Sequence, residues 1–195
     1  MPAKILQRGT REAGIDGADQ LHETPESAVK ALLQHEALPP RLWEPAAGRG
    51  AIARLLRQHG HTVIATDIRA WPGAHRMVKP GFDFLAQRRA PKRCGAIVTN
   101  PPFKLADDFI RHGLTLVPRV VVLLRLAALE GVRRGDLMDG HLVRLWVGKE
   151  RLPMMHREGW QGNKASQPTP YAWFVFERQA TLFGFEGRRI SWRQE

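Results

Sequence analysis

The stretch Val98-Thr99-Asn100-Pro101-Pro102-Phe103 decides the fold that we expect for this chain. Apolar residues at 96–98 lead into it and predict the end of a buried strand. Proline has no N–H to donate within a sheet, so the two prolines predict that the chain leaves the sheet here. Because open α/β sheets bind their ligands at the carboxyl ends of strands, we expect a binding site at this point.

The same residues suit a flat group that carries an NH2. The side-chain oxygen of Asn100 and the carbonyl of Pro101 can each accept a hydrogen bond from such a group. Pro102 stiffens the turn, and the ring of Phe103 can lie against a planar ring. The alternative is a strand-ending turn with no ligand, since Asn-Pro is common in turns.

A glycine turn lies upstream, in Glu44-Pro45-Ala46-Ala47-Gly48-Arg49-Gly50, between a short predicted strand and a predicted helix. Gly48 and Gly50 let the backbone approach a ligand closely, and the following helix offers unpaired N–H groups. The turn lacks the full Gly-x-Gly-x-x-Gly pattern of dinucleotide-binding proteins, and no Gly-Lys-[Ser/Thr] of the phosphate-binding loop follows it. By itself the turn is therefore weak support for a ligand site.

The next predicted strand, residues 61–67, ends in a carboxylate, Asp67. Asp67 follows Gly48 by about 20 residues, the spacing at which an acidic residue binds a ribose at the tip of the second strand. A carboxylate can accept hydrogen bonds from both ribose hydroxyls. The alternative for Asp67 is a helix N-cap.

Predicted strands alternate with predicted helices through the first two-thirds of the chain. This order is typical of an α/β fold with a mostly parallel sheet and right-handed crossovers. Strands predicted at 142–147 and 172–176 add an antiparallel hairpin at one edge, with 172–176 as the last strand. In the first helix, predicted over 22–35, Thr24 is the expected N-cap and Pro25 the first helical residue. We expect a flexible arm at 1–20, one domain at 21–180 and a basic tail at 181–195.

The charge of the chain favours a polyanionic partner. Among its 195 residues, 30 are Lys or Arg and 19 are Asp or Glu, so the net charge is +11. A fold does not require this excess, which suits a polyanionic partner, most simply nucleic acid; the alternative is a basic protein without such a partner. The single cysteine, Cys94, excludes an internal disulfide, and no metal-ligand spacing is present. Neither a membrane span nor a secretory leader is evident, so we expect a cytoplasmic protein with no membrane contact.

Taken in order, these motifs resemble those of the class I S-adenosylmethionine-dependent methyltransferases, in the Asn-Pro-Pro-Phe branch that methylates planar exocyclic nitrogens. Within that branch the chain looks most like DNA adenine N6-methyltransferases, including small phage-type enzymes, over roughly residues 20–180. The resemblance implies a single-domain Rossmann-like methyltransferase fold and S-adenosylmethionine as cofactor. It also implies nucleic acid as substrate, with DNA favoured over RNA.

The resemblance also implies a role for each matching residue. Asn100, Pro101, Pro102 and Phe103 would be catalytic. Thr24 and Pro25 would touch the methionine end of the cofactor, and Asp83 and Phe84 its adenine. The residues that would hold the methionine and ribose portions are Glu44, Pro45, Ala46, Gly48, Gly50, Asp67 and Ile68. From the residues alone, a surface aspartate, Asp83, between two core phenylalanines is nearly as good an interpretation.

Nucleic acid contacts are expected in and after the central stretch. The segment 149–170 lacks periodicity and mixes basic with aromatic residues, which suits backbone contact and base stacking. The residues we expect to make these contacts are Lys104, Arg157, Trp160 and Lys164.

Three alternatives stay open at this stage. The same chemistry could act on a guanine or adenine of RNA, or on a protein glutamine, because those enzymes share the Asn-Pro-Pro-aromatic motif. A nucleic-acid-binding accessory protein without catalysis would also account for the charge. A dehydrogenase shares the glycine turn and Asp67 but has no use for Asn-Pro-Pro-Phe. The target sequence and the oligomeric state do not follow from the sequence.

Overall fold

The computed structural model describes residues 23–152, 169–180 and 184–193. Within these ranges the chain forms an α/β fold with eight strands in one sheet. The helices are α1 (Glu26–His35), α2 (Ala51–Gln58), α3 (Ala106–Leu116) and α4 (Gly135–Gly140). The strands are β1 (Arg41–Glu44), β2 (Thr62–Thr66), β3 (Val78–Lys79), β4 (Ala96–Thr99), β5 (Arg119–Arg125), β6 (Leu142–Gly148), β7 (Tyr171–Glu177) and β8 (Glu186–Ile190).

The strands lie in the order β3-β2-β1-β4-β5-β7-β6-β8. Strands β1 to β5 pair in parallel, and β7 runs antiparallel to both of its neighbours, β5 and β6. The expected mostly parallel sheet with an antiparallel hairpin is therefore confirmed. The chain order reverses between β1 and β4, and this is the point at which open α/β sheets hold their ligands.

Two elements differ from the sequence-based expectation. The predicted last strand at 172–176 is followed by β8, which pairs in parallel with β6, so the region expected as a basic tail contributes an edge strand. Its exposed glycine and arginine residues gave no alternating pattern, although Ile190 and Trp192 are buried. Helix α1 begins at Glu26 with Pro25 in the N-cap position, and the Thr24 side chain makes no capping bond.

Parts of the expected organisation fall outside the described residues. The predicted arm at residues 1–20 does so, as do Arg157, Trp160 and Lys164. None of the helices in the described ranges has the length and apolar character that a membrane crossing requires.

Apolar side chains cover both faces of the sheet, as a parallel sheet requires. On one face, Val29 and Leu32 of α1 and Leu55 of α2 are buried against the strands. On the other face, Phe109 and Ile110 of α3 are buried. Helix α3 lies close to the sheet because Gly113 carries no side chain there: a Cβ at this position would stand 2.8 Å from the Val120 side chain.

A buried ion cluster joins α1 to β5 and to the two strands of the antiparallel hairpin, β6 and β7. The Glu36 side chain, 2% exposed, follows α1 and accepts hydrogen bonds from Arg144 Nε at 2.8 Å and Arg119 Nη1 at 3.2 Å. Trp146 Nε1 donates to the same carboxylate at 3.0 Å. Glu177 bridges the two arginines from the other side. One carboxylate thus holds a helix end and two strands together.

We expect Glu36→Gln to lower the free energy of unfolding by about 3 kcal/mol, because removing one partner of a buried ion pair leaves the other charges uncompensated. Urea denaturation followed by circular dichroism measures this loss. Glu26→Gln on the same helix is the matched control: its side chain is 56% exposed, and exposed ion pairs contribute less than about 1 kcal/mol. Equal losses for the two variants would contradict the anchoring role of Glu36.

Candidate functional site

The predicted site residues come together at the carboxyl edge of the parallel strands. Glu44 ends β1, Asp67 follows β2 and Asn100 follows β4. Because β1 lies between β2 and β4 in the sheet, the three side chains start from neighbouring strands. The site expected from three separate motifs is therefore one location in the fold.

The buried side chain of Glu44 fixes the glycine turn after β1 by a hydrogen bond to the helix that follows the turn. Its carboxylate is 2% exposed and accepts a 2.7 Å hydrogen bond from the backbone N–H of Ala53, in the first turn of α2. Gly50 precedes α2 with a φ of +91°, in the left-handed region, and a Cβ there would stand 3.0 Å from the Val78 side chain. Glycine is therefore needed at position 50 for two reasons: other residues rarely adopt this backbone angle, and a side chain here would crowd Val78.

Burial raises the pKa of the Glu44 carboxyl well above its usual value of 4.5. The hydrogen bond from Ala53 opposes this shift, and the nearby Asp67 carboxylate adds to it. A neutral carboxyl still accepts a hydrogen bond from an N–H, so it can fix the start of α2 without a buried charge. Glu44 therefore shapes the turn, and its side chain lies beneath the turn's surface.

Asp67 ties the second strand to the glycine turn. Its side chain is buried, and Oδ2 accepts a 2.8 Å hydrogen bond from the Gly48 N–H. Its Oδ1 accepts from the N–H of Arg69 at 2.8 Å and from Trp71 Nε1 at 3.1 Å. A carboxylate has about four acceptor sites, so these three bonds leave Asp67 room for one more donor.

The other residues expected at the adenine end differ in where they lie. The Ile68 side chain, next to Asp67, is 61% exposed, which is unusual for a large apolar residue beside a buried acid. Asp83 is exposed and accepts from the Leu85 N–H at 3.0 Å. Phe84 is only 2% exposed and packs against Trp43 and Phe109. Phe84 therefore packs in the core, and its expected contact with the cofactor's adenine stays a prediction.

Asn100 and Thr24 meet across the site. Asn100 Nδ2 donates a 3.2 Å hydrogen bond to the hydroxyl of Thr24, which is 5% exposed. The residue expected to cap α1 and to touch the cofactor thus contacts the expected catalytic amide. Pro25 lies beside it, half-buried.

The ring of Phe103 stands at the edge of the same site between two residues that the sequence analysis missed. The Arg125 guanidinium lies 4.6 Å from the ring centroid, and the Tyr171 ring centroid lies 6.4 Å away. Arg125 ends β5 and pairs in register with Tyr171, the first residue of β7. An arginine that ends a run of apolar strand residues was the signal available for this contact, since charge there marks the exposed end of a buried strand.

The basic residues fall into separate places. Lys104 is exposed next to Phe103, at the carboxyl edge. An open groove of about 380 Å³ lies at the opposite edge, before β4. It is lined by the exposed cations Arg88, Arg89, Lys92 and Arg93, and among the described residues no acidic side chain lines it.

No group of three or more metal-ligand side chains occurs within the described ranges.

The sequence matches no protein-family model and no curated protein. The structure, however, is similar to several solved ones. It superposes on the methyltransferase subunit of a type I restriction-modification system from Streptococcus thermophilus with a TM-score of 0.53 and 13% identity, over 82% of this chain and 45% of that one. The chain therefore spans about half the length of that subunit.

Two further similar structures are nearer in size. One is described as a candidate RNA methyltransferase from Pyrococcus horikoshii, with a TM-score of 0.55, 14% identity and coverage of 80% of this chain and 82% of that one. The other is a Burkholderia thailandensis 1,6-didemethyltoxoflavin-N1-methyltransferase with bound S-adenosylhomocysteine, with a TM-score of 0.50, 13% identity and coverage of 80% and 78%. These likenesses show that the chain has a Rossmann-like methyltransferase fold.

We expect Glu44→Gln to gain stability relative to the parent protein as the pH rises above about 4, the pKa of an unfolded glutamate. The raised pKa of Glu44 in the folded state means that the folded protein keeps a proton that the unfolded chain has lost. Folding of the parent is therefore favoured fully below the unfolded pKa and loses stability as the pH rises towards the folded pKa. Glutamine cannot ionise, so the difference between the two unfolding free energies, measured in urea at each pH, isolates this residue. A difference that is constant with pH would show that Glu44 ionises normally in the fold.

Proposed function

We propose that this protein is an S-adenosylmethionine-dependent methyltransferase that acts on an exocyclic planar nitrogen, with adenine N6 in DNA as the favoured target. One observation carries the proposal: the Asn100-Pro101-Pro102-Phe103 turn leaves β4 beside the end of β1, where Glu44 lies, and Asp67 follows β2 on the far side of β1 at the same edge of the sheet. A cofactor-binding fold alone has no need of an amide, a carbonyl and an aromatic ring there.

The residues around Asp67 fit the proposed cofactor. Asp67 has acceptor capacity for one ribose hydroxyl as it stands, and for a second if Trp71 Nε1 gives up its bond. The exposed side chain of Ile68 offers an apolar surface for a purine. Gly48 and Gly50 keep the turn clear of side chains on the way to the methionine portion. When bound, S-adenosylmethionine supplies an electrophilic methyl group on a sulfonium.

Asn100 and Pro101 act on the nucleophile. The lone pair of an adenine amine is delocalised into the ring, so the amine attacks poorly. Two acceptors, Asn100 Oδ1 and the Pro101 carbonyl, draw the NH2 towards tetrahedral geometry and free the lone pair. The proton leaves after the amine becomes cationic, so no strong base is required beforehand. Most of the acceleration then comes from alignment and local electrostatics.

Phe103 and Arg125 hold the target ring in this scheme. Stacking on Phe103 places a base that has been flipped out of a duplex beside Asn100. The Arg125 guanidinium, 4.6 Å from the Phe103 centroid, keeps positive charge at the rim where phosphates approach. Together with the net charge of +11 this favours nucleic acid over a protein glutamine as substrate. Restriction-modification and RNA methyltransferase names both occur among the similar structures, so RNA remains the second candidate.

We expect Asn100→Ala to lower methyl transfer by about 100-fold or more while the affinity for S-adenosylmethionine is kept, since the amide acts on the amine and not on the cofactor. Transfer of labelled methyl to DNA, RNA and cell protein, each presented separately, measures the first quantity. Isothermal titration with S-adenosylmethionine measures the second. Gln58→Ala removes an exposed amide at the end of α2 and is the matched control.

The outcomes separate the candidates. Label recovered as N6-methyladenine from DNA supports the favoured substrate, whereas label in RNA or in protein keeps the mechanism and replaces the target. Lost cofactor affinity in Asn100→Ala would mean that its role is misassigned. Salt-dependent DNA binding without any cofactor binding would contradict the methyltransferase proposal and favour a non-catalytic, nucleic-acid-binding accessory protein.

A further inference from the structure

The open groove before β4, called the basic groove below, holds four positive charges that the fold does not pair. It lies at the edge where the parallel strands begin and has a volume of about 380 Å³. The charged residues that line it, all exposed, are Arg88, Arg89, Lys92 and Arg93. Within the described part of the chain, none of these four side chains makes a hydrogen bond or an ion pair. Part of the net charge of +11 is therefore concentrated in one concave surface.

The fold itself has no need of a cation at one of these positions. The Cys94 N–H donates a 3.1 Å hydrogen bond to the Pro91 carbonyl, which closes a turn with Lys92 and Arg93 at its centre. Arg93 has a φ of 58°, in the left-handed region, and no other non-glycine residue of the described ranges has a positive φ. Glycine or asparagine suits such a turn position best. An arginine here therefore points to a use of its charge outside the fold.

The end of α3 offers an alternative use for the charge, because the carboxyl end of a helix attracts cations. Thr115 and Leu116 at this end complete the lining of the basic groove. However, Arg178, which follows β7, already donates to the carbonyls of Leu114 and Thr115 at 2.6 and 2.9 Å. The helix end thus has its own arginine, and the four cations of the basic groove remain available to a partner.

The lining of the basic groove discriminates between kinds of nucleic acid. Single strands are held by stacking of their bases on aromatic side chains, and no aromatic residue of the described ranges lines the groove. A duplex keeps its bases stacked inside and presents phosphates, which guanidinium and ammonium groups bind. Cations without aromatic rings therefore suit the backbone of a duplex, and duplex DNA is the partner that agrees with the favoured target.

The basic groove and the candidate site lie at opposite ends of β4. Cys94 in the groove and Asn100 in the site stand on either side of this strand, and at about 3.3 Å per strand residue they are about 20 Å apart. Duplex DNA is stiff over about 150 bp, so a short duplex at the site cannot bend round to the groove. Whatever duplex the groove binds is therefore a different segment.

We propose that the basic groove binds the phosphate backbone of a duplex DNA segment other than the one whose base enters the candidate site. The groove then holds the protein on DNA independently of the target base. The inference takes its partner, DNA, from the proposed function but does not depend on the chemical step, so binding experiments test it separately.

Arg88→Gln combined with Arg89→Gln removes two adjacent cations of the basic groove. We expect this variant to bind a long DNA duplex more weakly, and the slope of log affinity against log salt concentration to become shallower by about 2, because each phosphate contact contributes about 0.9. Mobility shifts at several salt concentrations measure the slope, and circular dichroism checks the fold of each variant.

Arg188→Gln combined with Arg189→Gln is the matched control. These two arginines are also adjacent and exposed, but they lie on the edge strand β8. The control loses the same net charge, and we expect it to keep nearly the parental slope. Equal changes of slope in the two double variants would overturn the inference, because net charge and not the groove would then govern binding.

A second measurement uses the parent protein alone. Acetylation of lysines, followed by mass spectrometry, reports how accessible each amine is with and without DNA. We expect duplex DNA to slow the acetylation of Lys92 several-fold, whereas Lys30 on α1, whose side chain is 34% exposed, keeps its rate. We expect single-stranded DNA to protect Lys92 less.

The outcomes are distinct from those for the proposed function. Unchanged acetylation of Lys92 in the presence of duplex DNA would overturn the inference, and equal protection by single-stranded DNA would contradict the assignment of a duplex. If the parent methylates no substrate, the proposed function fails, and the protection of Lys92 still decides whether the basic groove binds DNA.

Discussion

The buried carboxylate of Glu36 is the interaction on which the arrangement of the site depends. A carboxylate with 2% exposure is costly unless it is paired, and here an arginine of β5 and an arginine and an indole N–H of β6 satisfy it. Since Glu36 ends α1, the cluster fixes one end of that helix against the sheet. The other end carries Thr24, which then stands within hydrogen-bond distance of Asn100. A stabilising contact at one edge of the sheet thus helps to set the geometry at the other.

Two buried acids, Glu44 and Asp67, shape the glycine turn in different ways. Glu44 is in contact with the start of α2, and its raised pKa reflects a surrounding with little water. Asp67 is also buried, but three N–H groups donate hydrogen bonds to its carboxylate. Glu44 therefore accepts a hydrogen bond from the backbone of α2 beneath the turn, whereas the Asp67 carboxylate lies beside the turn with its acceptor atoms already oriented by hydrogen bonds.

The parts of the fold that repeat a simple pattern were predictable from the sequence. The apolar runs before Asn100 and through β5 predicted buried strands, and the glycine turn and Asp67 predicted the edge at which they meet. Strand β8 was not predictable, because its residues are mostly exposed and its position depends on pairing with β6. The Thr24–Asn100 contact joins residues 76 apart in the chain, so no local pattern could indicate it. Phe84 shows that a residue at a motif position can also be packed in the core.

The reversed direction of β7 has a consequence for how such a protein can change its target. Strand β6 ends, and β7 begins, at the same edge of the sheet as Asn100, so the connection between Gly148 and Tyr171 starts and finishes beside the site. The entropy of closing a loop grows only slowly with its length. Insertions and exchanges between these two strands therefore cost the fold little and begin and end near Asn100. The hairpin offers a place where the sequence can vary while β1, β2 and β4 stay as they are.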